Sequence, residues 1–87
     1  MKVKDLEFIR DPSMEVYRAR FQLGPYHVTI SLRKEPSIDY AIVIKKDNMF
    51  VNLEGINPGV VITDFLSEEE CNIRLANLEK HIDHLPK

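Results

Sequence analysis

Apolar and polar residues alternate strictly along two adjoining stretches of the chain. Tyr17, Ala19, Phe21 and Leu23 alternate with Val16, Arg18, Arg20 and Gln22. After Gly24-Pro25, the residues Tyr26, Val28, Ile30 and Leu32 alternate with His27, Thr29, Ser31 and Arg33. A period of two marks a strand with one buried face. Glycine takes the positive φ that opens a type II′ turn, and proline's fixed φ suits the next position. A two-residue loop then pairs Leu23 with Tyr26, Phe21 with Val28 and Ala19 with Ile30. Apolar side chains meet on one face, so turn and pattern agree on the register.

The same logic applies at Asp47-Asn48, two residues that tolerate positive φ. That turn pairs Ile44 with Val51 and Ile42 with Leu53. A four-residue loop at Asp11-Pro12-Ser13-Met14 pairs Phe8 with Tyr17 and Leu6 with Ala19. The pattern predicts strands at about 4–10, 15–23, 26–33, 39–46 and 49–53, with Val60-Val61-Ile62 as a further short candidate. A helix is predicted over about 68–83. Ser67 is its cap, Glu70 completes a capping box, and Leu66 with Cys71 makes a hydrophobic staple. Three glutamates, Glu68 to Glu70, suit the positive end of the helix dipole, and Lys80, His81 and His84 the negative end. Cys71, Leu75, Leu78 and Ile82 line one face. The expected fold is α+β: an antiparallel β-meander of four to five strands with one C-terminal helix packed on its apolar face.

Composition narrows the classes. The chain has 87 residues, 44% of them hydrophobic and 30% charged, which suits one folded domain rather than a disordered segment. A domain this small buries roughly 60–65% of its unfolded surface, so a dimer interface would add useful stability. The formal charge of −2 supplies no global attraction to nucleic acid or to an anionic membrane. Cys71 is the single cysteine, which excludes an intramolecular disulfide and favours a reducing compartment. No apolar signal-peptide core follows Met1, and no apolar run approaches the ~20 residues that span a bilayer. The expectation is a cytoplasmic protein with no membrane partner.

Candidate chemistry is sparse. His81 and His84, three apart, could share a metal on a helix face, but Cys71 lies roughly 15 Å away along the helix. His27 and Ser31 share a strand face at roughly 13 Å, too far for a nucleophile and its base. Cys71 is at a helix start, where thiols can be activated, yet it belongs to the apolar stripe and follows three glutamates. With three glycines, Gly24, Gly55 and Gly59, a phosphate cradle is not expected. No catalytic site, metal or cofactor is expected, and the chain does not read as an enzyme.

The outward sheet face is the best candidate surface. It should present Arg18, Arg20, His27, Thr29, Arg33, Val43, Lys45 and Phe50, with Gln22, Ser31 and Ala41 among them and Ile9 and Val16 at its side. Cations flanked by apolar groups resemble an interaction surface. The plain alternative is a solvated face, since a one-sided sheet needs polar outward residues. The leading expectation is a small binding or regulatory protein that modulates a protein partner, as an inhibitor, immunity protein or phage-type regulator does. A self-assembling module is the first alternative. It would join copies through edge strands or the Ile9/Val16 and Ala41/Val43/Phe50 patches. Weak nucleic-acid binding is the second. Phe8, Tyr17, Phe21, Tyr26 and Tyr40 all fall on the core side, which leaves Phe50 alone to stack on bases.

Overall fold

The turn at Gly24-Pro25 sets the register of the sheet in the computed structural model, which describes residues 1–57 and 62–86. Gly24 has φ +58°, and the strands on either side, β2 (Val16–Leu23) and β3 (Tyr26–Arg33), pair Leu23 with Tyr26 and Tyr17 with Leu32. β3 pairs in turn with β4 (Asp39–Lys46). Asp47 and Asn48 both have positive φ, 54° and 64°, which makes a type I′ turn into the short β5 (Met49–Phe50). β1 (Ile9–Asp11) pairs with β2, and β6 (Ile62–Leu66) shares the outer edge of β4 with β5. All pairs are antiparallel and the first five strands follow meander order. A single helix, α1 (Glu68–Asp83), follows. The α+β meander with a C-terminal helix expected from the sequence is the architecture found.

Several local expectations are corrected. The first strand is Ile9–Asp11 rather than about 4–10, and Val3–Asp5 forms a 3-10 turn. Asp11 explains the difference. Its carboxylate accepts from the Ser13 amide (3.0 Å) and hydroxyl (2.7 Å), which draws Asp11 into the strand as the last residue before the turn. Ile9 then faces Arg18 and Arg10 faces Tyr17, so the expected Phe8–Tyr17 and Leu6–Ala19 pairs are not made. The slide is by two residues, which preserves the face, and Leu6 and Phe8 still pack against the core.

The strand expected over 49–53 ends at Phe50. Val51 adds one more bond, its amide donating to Ile44 O at 3.1 Å. Beyond it, Asn57 takes over as the hydrogen-bonding partner. Its amide donates to Val51 O (3.0 Å), and its oxygen accepts from Leu53 N–H (2.8 Å). Ile42 therefore faces Thr63 of β6 rather than Leu53. Of the candidate strand Val60-Val61-Ile62, Val60 and Val61 lie outside the described residues, and β6 begins at Ile62. Between the pairs Tyr40–Leu66 and Ile42–Thr63 the register shifts, and Phe65 has φ +61°. Two residues there oppose Ala41, as in a β-bulge.

α1 closes the core. Ser67 Oγ accepts from Glu70 N–H at 3.0 Å, the Ser67 half of the expected capping box. Cys71, Leu75 and Leu78 are fully buried against Val28, Ile30, Ile42 and Ile44, with Leu66 in the same cluster and Ile82 packed on it. Polar contacts fix the helix axially. Arg74 Nη1 donates to Ile56 O (2.6 Å), Asn77 Nδ2 to Gly55 O (2.8 Å), and Tyr26 Oη lies 3.0 Å from His81 Nε2.

Candidate functional site: the outer sheet face

Residues that alternate with the core set line up in cross-strand rows on the face opposite α1. Ile9, Arg18, Ser31 and Ala41 form one row. Arg20, Thr29 and Val43 form the next, and Gln22, His27, Lys45 and Phe50 a third. Arg33 opposes Asp39 at the far end. All eight candidate residues thus share one surface: Arg18, Arg20, His27, Thr29, Arg33, Val43, Lys45 and Phe50. Thr29, Ser31, Ala41 and Val43 are half-buried by their neighbours, whereas Arg20, His27 and Phe50 are exposed.

The expected basic centre is partly neutralised from within. Arg18 pairs with Asp11, and its other guanidinium nitrogen lies 3.6 Å from Met14 Sδ. Arg33 pairs with Asp39 at 2.9 Å, and Ser37 Oγ donates to the same carboxylate. Hydrogen bonds from the Ser13 hydroxyl and amide hold the Asp11 carboxyl below its usual range, helped by the charge of Arg18. Arg33 does the same for Asp39, with Ser37 next in weight. Among the described residues, Arg20 and Lys45 are the cations on this face with no ion pair.

Two aromatic rings carry cations. Lys45 Nζ sits 4.7 Å from the centre of the Phe50 ring, and the Arg33 guanidinium 4.9 Å from that of Phe65. Phe65 was not expected here. The bulge in β6 turns Leu66 into the core and leaves Phe65 69% exposed beside Arg33. The adjacent pair Phe65-Leu66 was the available signal, because neighbouring strand residues point to opposite faces. Ile9 (67% exposed) and Phe50 (53%) are further exposed apolar residues on this side, with Met14 beside Arg18. Along β4, the rows of Phe50 and Phe65 are separated by roughly 13 Å, four strand steps from Ala41 to Lys45.

No protein-family model, curated protein or solved structure matches this chain. The functional reading therefore rests on its surfaces.

The remaining candidates lie apart from one another. Cys71 is fully buried, and burial pushes its thiol up to about 12; Arg74 opposes the shift and Glu68 adds to it. His81 faces Tyr26, while His84 Nδ1–H donates to Lys80 O at 2.7 Å, so the two imidazoles are engaged separately. Among the described residues, no three His, Cys, Asp or Glu side chains converge as metal ligands. No described helix is long and apolar enough to cross a membrane. Two open clefts flank the sheet. The larger, about 660 Å³, lies between residues 5–12 and β2, and the smaller, about 330 Å³, lies among Arg10, Glu15, Tyr17, Lys34 and Glu35.

Proposed function

We propose that this chain binds another protein through its outer sheet face and modulates it, as a small cytoplasmic regulator or inhibitor would. One observation carries the reading: the sheet face that α1 leaves uncovered bears exposed Ile9, Phe50 and Phe65 beside the uncompensated cations Arg20 and Lys45. Large apolar side chains next to arginine are the usual anchors of protein interfaces. Internal ion pairs at Arg18 and Arg33 hold this surface in one arrangement before a partner arrives, which lowers the ordering cost of binding.

The test is capture from a nuclease-treated lysate of the source cells, with the wild type beside two variants. Arg20→Ala/Phe50→Ala alters the outer face, and Ile73→Ala alters an exposed residue of α1. A stoichiometric protein retained by the wild type and Ile73→Ala, and lost by the double variant, supports the reading. Retention by all three proteins, or an empty capture, counts against it. A nucleic-acid ligand would instead show affinity falling steeply with salt. A self-assembling module would sediment as a dimer at all practical concentrations.

A further inference from the structure

β2 has an edge that the sheet leaves unfinished. β1 pairs with residues 16–18 only, and the chain before Ile9 veers away. Among the described residues, Ala19–Leu23 have a strand partner on the β3 side alone. Hairpin geometry identifies the stranded backbone groups. The pair flanking a two-residue turn exchanges both hydrogen bonds, and such pairs recur at every second residue. Leu23–Tyr26 is that pair, so Ala19, Phe21 and Leu23 bond to β3. The N–H and C=O groups of Arg20 and Gln22 therefore face outward from the edge. The β4–β5 hairpin follows the same alternation: its flanking pair is Lys46–Met49, and two residues on Val51 donates to Ile44. The 660 Å³ cleft runs along this edge, with Leu6, Ile9, Ala19 and Phe21 as its apolar lining.

We propose that this edge is a strand-addition site for an extended segment of another protein, one that alternates an acidic residue with an apolar one. Strand addition draws affinity from main-chain bonds and specificity from alternate side chains. Residues 19–23 contain no proline, and their register with β3 is regular, so the backbone edge is open; Arg20 is the one charged residue on it and disfavours unselective pairing. Arg20 sets the charge. It is exposed and has no ion pair among the described residues, whereas Arg18 is matched by Asp11. The opposite wall carries Arg10 with Asp5 and Glu7, so the preference for an acidic residue is local to Arg20 and not a property of the whole cleft. An acidic side chain across from Arg20 is therefore the stabilising cross-strand pair. The neighbouring residue of the added strand points to the other face, toward Leu6 and Phe21, and is apolar. This site uses the backbone edge and shares Arg20 with the outer-face reading; Gln22→Pro tests the edge alone and Phe50→Ala the outer face alone.

The test begins with selection of phage-displayed random short peptides on the full chain. The selected peptide is then synthesised and amide exchange is measured with and without it. Enriched peptides should alternate acidic and apolar residues. In the free protein, the amides of Arg20 and Gln22 should exchange more than ~10-fold faster than those of Ala19 and Phe21, and peptide should slow them by at least ~10-fold. Gln22→Pro should fold, because that N–H is outside the ladder, and should weaken peptide binding by ~10-fold or more. Arg20→Glu, which keeps every backbone group, should weaken it comparably. Several results overturn the proposal: no enriched pattern, free-state protection of Arg20 and Gln22, or peptide protection confined to β3 and β4. Protection that grows with protein concentration also overturns it, and gives the edge to a second copy of this chain.

Discussion

Asn57 holds the chain that follows β5. It is completely buried, and its amide closes both a donor and an acceptor that β5 would otherwise leave unmatched. Asn57→Ala strands Leu53 N–H and Val51 O. At about 1–3 kcal/mol for each buried group left unmade, a loss of roughly 2–6 kcal/mol is expected in denaturant unfolding. Its role was not legible in the sequence, where Asn57 stands before Pro58 and reads as part of a turn. A single amide that imitates a strand has no periodicity to betray it. Cys71 was legible, because the helical stripe already placed it in the core. With its thiol raised from 9.0 to about 12, the native protein should hold roughly a thousandfold less thiolate than the unfolded chain near pH 8. A thiol reagent should accordingly react with it only after unfolding. A raised value also has a stability consequence: the contribution of the neutral thiol is complete below pH 9 and declines as pH rises toward 12.

At the scale of elements, turns decided what was legible. Gly24-Pro25 and Asp47-Asn48 announce two-residue hairpins, and the registers they imply are those observed at Leu23–Tyr26, Phe21–Val28 and Lys46–Met49, although the second hairpin ends before the implied Ile42–Leu53 pair. The Asp11–Glu15 turn did not announce itself, because its geometry comes from a side chain, the Asp11 carboxylate bonded to Ser13. Alternation cannot distinguish registers that differ by two, since both keep the same face. Gly24 is also a helix contact. A Cβ placed there would lie 3.0 Å from Ile82 Cγ2, in a backbone conformation with φ +58°. Gly24→Ala should therefore cost about 1–2 kcal/mol or more, by the left-handed penalty alone, and should lower the melting temperature without changing the fold. Asp11 and Asp39 make the ends of β1 and β4 sensitive to acid. Both carboxyls are lowered from 3.8 in the folded chain, so their contribution is present above that value and is lost as pH falls through the lowered ones. Asp11→Asn and Asp39→Asn should each make the acid side of the stability profile shallower than in the wild type.

For the whole molecule, charge and apolarity are distributed unevenly. α1 begins with Glu68, Glu69 and Glu70 at the surface, while the uncovered sheet face bears Arg20 and Lys45 without ion pairs. A net charge of −2 conceals this polarity, and the sequence revealed it only once strand faces were assigned. The pair Phe65-Leu66 signals that one of two apolar neighbours faces outward, and the bulge decides that it is Phe65. The most direct test of the outer-face reading is the affinity of the captured partner for the wild type, for Phe50→Ala and for Ile73→Ala. The expected result is a loss of roughly 30-fold or more at Phe50, the ~2 kcal/mol typical of an interface anchor, with Ile73→Ala unchanged. Equal affinity for all three proteins, or a loss confined to Ile73→Ala, would contradict binding through the outer face.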